Sequence, residues 1–452
     1  MLKMKVYLLP AIFGVAAMGA DVPSAPTFYK AVLPIFQSHC QECHRPGEIG
    51  PFSLMSYESA RPWAKSIRQA VLTQKMPPWH ADDAHSVAMA NDRSLTKSEI
   101  DTLVAWSDGG APAGDPKDAP AARTFPDGWT IGKPDVVFDL GVDFPVPAKG
   151  TVEYTLFLAH TNFTEDKWIS ALEVRPSVRA AVHHIVVHVR PPGSTHWSFL
   201  KVGEPLPESI MPKETPTVRP PQGDRGGLFF TPDQDEWLGE YFPGSTGFVA
   251  SPGQAKLIPA GSDIIFQMHY TPFGKETTDR SKIGLVFAKE PPKERIFNVG
   301  LSNNTLRIPA GAPHHRVDTN VEIPNDVTLA RITPHMHLRG SGFGLEVTYP
   351  SGEHDTLIDV PRFDFNWQMS YVLEKPRLLP KGSKLHMTAF YDNSPNNKFN
   401  PDPTKEVYWG EQSWEEMITG FFDMTIPVAV DPSKVLPPPA RRPAPAQTTS
   451  AQ

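Results

Sequence analysis

The chain's two cysteines both stand in one pentapeptide, Cys40-Gln41-Glu42-Cys43-His44, and its chemistry otherwise lies with 16 histidines. In a C-x-x-C-H segment two thiols at fixed spacing can bond the vinyl groups of one haem. The histidine that follows can then ligate the iron from one face. Haem c at Cys40, Cys43 and His44 is therefore expected. Met76, in the segment KMPPWH, is the expected second axial ligand, with His80 and His85 as runners-up. A zinc half-site or a redox pair is the competing reading of the same motif, but no second cysteine pair exists to complete a zinc site.

Three histidine clusters lie further on. His183 and His184 are adjacent, with His188 on the same run. His269 stands in FQMHYTPFG, and His335 and His337 stand in TPHMHLRG. Adjacent residues of a regular strand point to opposite faces, so His183 and His184 can share a metal only at a strand start, a bulge or a bend. An H-x-H pair in a strand puts both rings on one face. Met417 follows in EEMITGFF. Imidazole suits copper, zinc, iron and nickel, whereas a thioether tilts the choice toward copper. A second adjacent pair, His314-His315, lies in a Gly/Pro turn region and reads as bland.

The elements that must position these groups change character along the 452 residues. Residues 1–20 have a basic start and an apolar run, and read as a signal peptide with an uncleaved anchor as the alternative. The expected location is the periplasm or another extracytoplasmic space. Residues 25–117 carry helical periodicity at 28–39, 57–75 and 98–106, and are expected to form a small all-α cytochrome c domain. Residues 118–130 read as a linker. Short β-branched or alternating runs then recur between Pro and Gly, of which the chain has 50 and 32. They predict two all-β antiparallel sandwiches, jelly-roll-like, over 131–295 and 296–430. A polar stretch at 200–235 reads as an insertion, and 431–452 as a disordered Pro/Ala-rich tail. A net charge of −7 argues against a nucleic-acid partner. Oligomeric state is not legible.

The order His-His, His, His-x-His, Met over two consecutive β regions resembles the copper type II, ascorbate-dependent monooxygenases, such as the peptidylglycine α-hydroxylating and dopamine β-monooxygenases. VHHIVVH, FQMHYTPFG, TPHMHLRG and EEM at 415–417 carry the resemblance, which spans roughly residues 130–428. It implies one copper on His183, His184 and His269 for electron transfer. A second, on His335, His337 and Met417, would be where dioxygen binds and a C–H bond is hydroxylated. The chain departs from the animal enzymes in having no cysteines to spare for disulfides in this region and in carrying a haem motif ahead of it, as in bacterial members of the broader family. No match is found for the side chains that bind peptide carboxylate or catecholamine, so those substrates are not carried over.

The expectation is a copper-dependent monooxygenase with one covalent haem c and two coppers. It would act on a small organic substrate with dioxygen, and an external donor would reduce the haem. The alternatives are a non-enzymatic haem–copper electron-transfer or copper-binding protein, a partner- or carbohydrate-binding double sandwich, and reduction of a small oxyanion at copper.

Overall fold

The computed structural model describes residues 26–126, 128–207, 226–229, 236–410 and 412–435. The expected signal peptide, most of the 200–235 insertion and most of the tail lie outside them. Among the described residues no helix is long and apolar enough to cross a membrane.

Strands make up 37% of the described residues and helices 13%. The helices are short: Leu33–His39, Tyr57–Ala60, Ala64–Leu72 and Lys97–Asp108, the last of 12 residues. Lys97–Asp108 begins with a reciprocal capping box between Thr96 and Glu99. Phe28, Phe36, Ile67, Leu103 and Trp106 pack these helices together.

The expected architecture, a small all-α cytochrome c domain followed by two sandwiches in series, is not what the chain forms. The helical residues are a minor part of a mainly β molecule, and the segment between Ala64–Leu72 and Lys97–Asp108 leaves their cluster. Trp79, Ala81 and Met89 are buried in the core of the C-terminal strands instead. Trp79 packs edge-on against Tyr371 at 5.0 Å. Asp82 donates its backbone N–H to Asp359, and Ala90 donates to Val372. Helical periodicity reports local structure only; it does not reveal that the loops between helices bury their apolar residues elsewhere.

The β regions are not separate sandwiches either, because a ten-stranded sheet runs through both. Its main path is Val136–Asp139, Lys282–Phe287, Lys167–Arg175, Gln254–Ile258, Glu294–Asn303, Thr419–Pro427, Val327–His335 and Tyr371–Leu379. The halves meet where Gln254 and Ala255 pair in parallel with Glu294 and Arg295. A five-stranded sheet that includes Thr155–His160, Asp263–Tyr270, Val182–Arg190 and Glu236–Tyr241 covers the N-terminal half. Ile169, Leu172 and Leu285 of the long sheet meet Phe157, Ile185 and Phe266 of the shorter one. A four-stranded sheet of His315–Glu322, Lys384–Tyr391, Gly340–Thr348 and His354–Val360 covers the C-terminal half. There Val299, Leu329 and Phe422 meet Phe343, Leu385 and Met387.

Buried charges cross the seam. Arg331 pairs with Glu240 at 2.5 Å and with Asp423 at 3.4 Å, and Lys256 reaches Asp423 at 3.4 Å. Their Coulomb gain is set against a large desolvation cost, so such groups fix geometry more surely than they add stability. Beyond the C-terminal half, Pro432–Val435, the start of the expected tail, is helical, and Val435 is buried.

Trp79→Ala is expected to destabilise the C-terminal half by about 3–5 kcal/mol, the usual cost of deleting a large buried aromatic ring. Chemical denaturation followed by tryptophan fluorescence and limited proteolysis would read it. A stable C-terminal half with only the helical cluster loosened would contradict the shared packing.

Candidate functional site

The strand Val182–Arg190 pairs with Asp263–Tyr270, and the pairing holds from Asp263↔Arg190 to His269↔His184. It then jumps, with Tyr270 opposite Val182, so His183 has no partner across the ladder. This bulge lets two adjacent histidines turn to one side. The ring centroids of His183, His184 and His269 form a nearly equilateral triangle, 5.3, 4.9 and 4.9 Å on its sides. One nitrogen from each lies within 4.8 Å of the others.

The Nδ1 atoms of His183 and His184 are 3.0 Å apart. Two imidazole nitrogens each about 2 Å from a shared ion sit about this far apart. His183 Nε2 and His269 Nδ1 are buried without a hydrogen-bond partner. Such orphaned nitrogens are costly unless something binds them. Burial lowers the proton affinity of all three rings: His269 falls to about 3, and His184 falls well below the ordinary value, helped by the neighbouring histidines. They are neutral at pH 7, as a metal ligand must be. Tyr154 stacks on His269 at 4.5 Å, and Phe242 lies 5.8 Å from His184.

The second cluster lies in the C-terminal half. His335 ends the strand Val327–His335, and His337 follows by two residues; the rings are 5.1 Å apart and nearly perpendicular. His335 Nδ1–H donates to Gln368 Oε1 at 2.5 Å, and His337 Nδ1–H donates to the Glu415 carbonyl at 3.3 Å. These acceptors fix each tautomer and leave both Nε2 atoms with a free lone pair. Burial again lowers both rings, His337 to about 3.

Met417 is tied to this pair through its neighbour. Glu416 is fully buried, and its carboxylate accepts backbone N–H groups from His337 at 2.9 Å and Arg339 at 2.6 Å, with Met417's own N–H also contributing. One carboxylate thus clamps the His-x-His segment to the start of the methionine strand. Tyr391 donates its hydroxyl to the Met417 carbonyl at 2.7 Å. Two residues on, Thr419 is the ladder partner of His335. Desolvation raises Glu416 to about 8.

The two clusters face each other across Phe365. Its ring is 6.1 Å from His183, 6.4 Å from His269 and 6.4 Å from His337. Phe365 opens a short 3-10 turn capped by the Asp364 side chain on the Asn366 N–H.

At the cysteine motif, the chain turns so that Cys43 and His44 both donate N–H to the Cys40 carbonyl. His44 Nδ1–H donates to the Phe52 carbonyl at 3.0 Å, which leaves Nε2 free to ligate. Phe52 packs on His44 at 4.9 Å and stacks on Trp63 at 4.2 Å. A Cβ on Gly50 would stand 2.6 Å from the Cys43 carbonyl oxygen and 2.9 Å from His44 Nδ1, so only glycine lets the loop close over the histidine. Cys40 and Cys43 are free, and burial pushes the Cys40 thiol up to about 12 and raises Cys43. These features suit a covalently attached haem.

The other expected residues go elsewhere. Met76 is half-buried just past Ala64–Leu72, and its N–H bonds to Ala70. His80 lines a small cavity with Asp364, Trp367 and Tyr371, and its Nδ1 is buried without a partner. His85 is exposed and pairs with Asp82 at 2.8 Å. His188 faces Trp197 at 5.0 Å, and His314 stacks on Phe390 at 4.6 Å. Sequence reasoning passed over Tyr154, Phe242, Phe365, Gln368 and Glu416. Only Glu416 carried a signal, an acid directly before the expected methionine ligand and an apolar run.

No family model and no curated protein matches the chain. Among solved structures it is similar to the major capsid protein P2 of bacteriophage PM2, at 7% identity over 65% of this chain and 97% of that one, with a TM-score of 0.24. It is also similar to the VP2 subviral particle of infectious bursal disease virus, at 9% identity over 69% of this chain and 76% of that one, with a TM-score of 0.16. Overlaps this low carry no argument about fold or function.

Glu416→Ala is expected to release Met417 from the His-x-His segment. If both clusters hold copper, the amount bound per chain should fall by about half while the His183/His184/His269 site keeps its ion, because the two sites draw on separate ligands. Elemental analysis with electron paramagnetic resonance would show it; full copper loading in the variant would refute the clamp. A second expectation concerns acid. Above pH 6.5 the buried histidines are neutral in both folded and unfolded chains. Below it the unfolded chain takes up protons that the folded chain refuses, so each refusing histidine costs about 1.4 kcal/mol per pH unit. For His269 and His337 this window runs from the ordinary histidine value of about 6.5 down to about 3. The melting temperature of the metal-free protein should fall through that range, and His269→Asn should flatten the slope. An equal slope in the variant would count against burial as the cause.

Proposed function

We propose that the protein is a copper-dependent monooxygenase that hydroxylates a C–H bond of a small organic substrate with dioxygen, its electrons entering through a covalently attached haem c. The observation that carries this reading is the convergence of His183, His184 and His269 at a bulge, facing the tautomer-fixed pair His335 and His337 across one aromatic ring. The resemblance of these segments to the copper type II, ascorbate-dependent monooxygenases supports the same reading.

His183, His184 and His269 would hold one copper, and His335, His337 and Met417 the other. Cys40, Cys43, His44 and Met76 would hold the haem. Such groups, when bound, pass electrons singly and activate dioxygen at an open coordination position. The chain's own part is to keep five imidazoles neutral by burial, to aim His335 and His337 through Gln368 and the Glu415 carbonyl, and to keep the approach apolar. Phe365 lies between the clusters, and Phe421, 6.0 Å from His335, packs on Trp237 at 4.5 Å. An apolar wall limits water at a site where reactive species would otherwise be lost. The basic start and apolar run of residues 1–20 support export to the periplasm.

The test is made on the protein matured with haem and reconstituted with copper. One haem and two coppers per chain are expected. Label from isotopic dioxygen should appear in the product of a reductant-driven reaction and vanish in His335→Ala. Copper binding without any oxygen incorporation across a broad substrate panel would favour the electron-transfer alternative. Failure of the wild-type protein to retain copper would sink the proposal.

A further inference from the structure

The cysteine motif does not stand apart from the first histidine cluster. The turn Phe242-Pro243-Gly244-Ser245 is closed by the Ser245 N–H on the Phe242 carbonyl at 2.8 Å, with Pro243 second and Gly244 third at φ +80°. That is the pattern of a type II turn, whose third position favours glycine. Here glycine is needed twice over, because a Cβ on Gly244 would lie 2.9 Å from Cys43 Sγ and 2.8 Å from an Arg93 guanidinium nitrogen. The sulfur of the haem motif therefore rests directly on this turn. Arg93 holds the contact by donating to the Gly244 carbonyl at 3.3 Å.

The same turn reaches the histidines at its other end. The ring of Phe242 is 5.8 Å from that of His184. A second tie runs alongside: Glu48, four residues past His44, pairs with Arg179 at 3.1 Å, both largely buried, and Arg179 stands four residues before His183. The loop that carries Cys43 is thus docked on the lead-in to the bulged strand as well as on the turn.

We infer that the turn Phe242–Ser245 is the built-in electron bridge between Cys43 and His184, with Gly244 and Phe242 as its positioning residues. This rests on the reading of the two sites as haem c and copper. With a ferrous haem held by Cys40, Cys43 and His44 and Cu(II) held by His183, His184 and His269, the chemistry supplied would be the transfer of one electron from iron to copper, with no bond made or broken. Electron tunnelling weakens steeply with distance. The glycine keeps the sulfur close, and the phenyl ring fills the remaining gap with polarisable atoms instead of water. The pairing of Glu48 with Arg179 keeps the gap constant.

The test uses the holoprotein without dioxygen. Substoichiometric dithionite reduces the haem in a stopped-flow cell. Haem reoxidation is followed by its visible absorbance, and loss of the Cu(II) signal is followed by rapid-freeze paramagnetic resonance. Phe242→Leu keeps an apolar side chain but removes the ring; Gly244→Val drives Cys43 away from the turn. Both variants are expected to slow reoxidation several-fold with haem content, copper content and the resting Cu(II) spectrum unchanged, which a merely structural role would not produce. If Gly244→Val fails to mature, Phe242→Leu decides. Unchanged rates in a variant that holds both metals would overturn the bridge while leaving the proposed function standing. A wild-type protein that lacks haem or copper would overturn both.

Discussion

A strand cannot present two neighbouring side chains on one face without breaking its pairing, and the arrangement of the whole candidate site follows from where this chain makes that break. The ladder between Asp263–Tyr270 and Val182–Arg190 is regular until His269 meets His184, and the extra residue inserted there is His183. Had the register run on, His183 and His184 would point to opposite faces. With the bulge, three rings share one space, and the strand beyond it keeps its register against Asp263–Tyr270 and buries Ile185, Val186 and Val187. The irregularity is therefore local, and the core of the N-terminal half is not weakened to make it.

The rest of the molecule holds that triangle opposite its counterpart. The long sheet is continuous from one half to the other, so the second cluster is placed by backbone pairing rather than by a flexible joint. Glu240, on the strand that leads into Tyr241 and Phe242, receives Arg331 from the strand that ends at His335, and also the Ser370 hydroxyl at 3.0 Å. One ion pair thus couples the strand that approaches His184 to the strand that delivers His335. Buried pairs of this kind contribute little net stability, but breaking one leaves an uncompensated charge, so the geometry they select is strongly enforced.

Much of this was legible in the residues, and what was not has definite causes. The strand runs at 136–142, 151–160, 263–270 and 282–288 contain Val136–Asp139, Thr155–His160, Asp263–Tyr270 and Lys282–Phe287, because alternation and turn residues encode strands locally. That His183 and His184 could meet only at a strand start, a bulge or a bend followed from strand geometry alone; the structure makes it a bulge. The architecture was misjudged because domain independence is not a local property. Nothing in KMPPWH announces that Trp79 belongs to the core of strands some 300 residues later, a separation set by the positions of Trp79 and Tyr371. Gln368, Phe365 and Tyr154 escaped for the same reason: each acts on a histidine far away in sequence, from a segment with no motif of its own.

Glu416 shows how position and protonation are bound together here. Its carboxylate gathers N–H groups from His337, Arg339 and Met417, which favours the ionised form, yet complete burial raises its proton affinity to about 8. Desolvation therefore outweighs the hydrogen bonds and the positive charge of Arg339 together. Neutral or ionised, the carboxylate has both oxygens committed to the His-x-His segment, Oε2 to the His337 N–H and Oε1 to the Arg339 N–H, so it joins the histidine and methionine segments through the backbone itself.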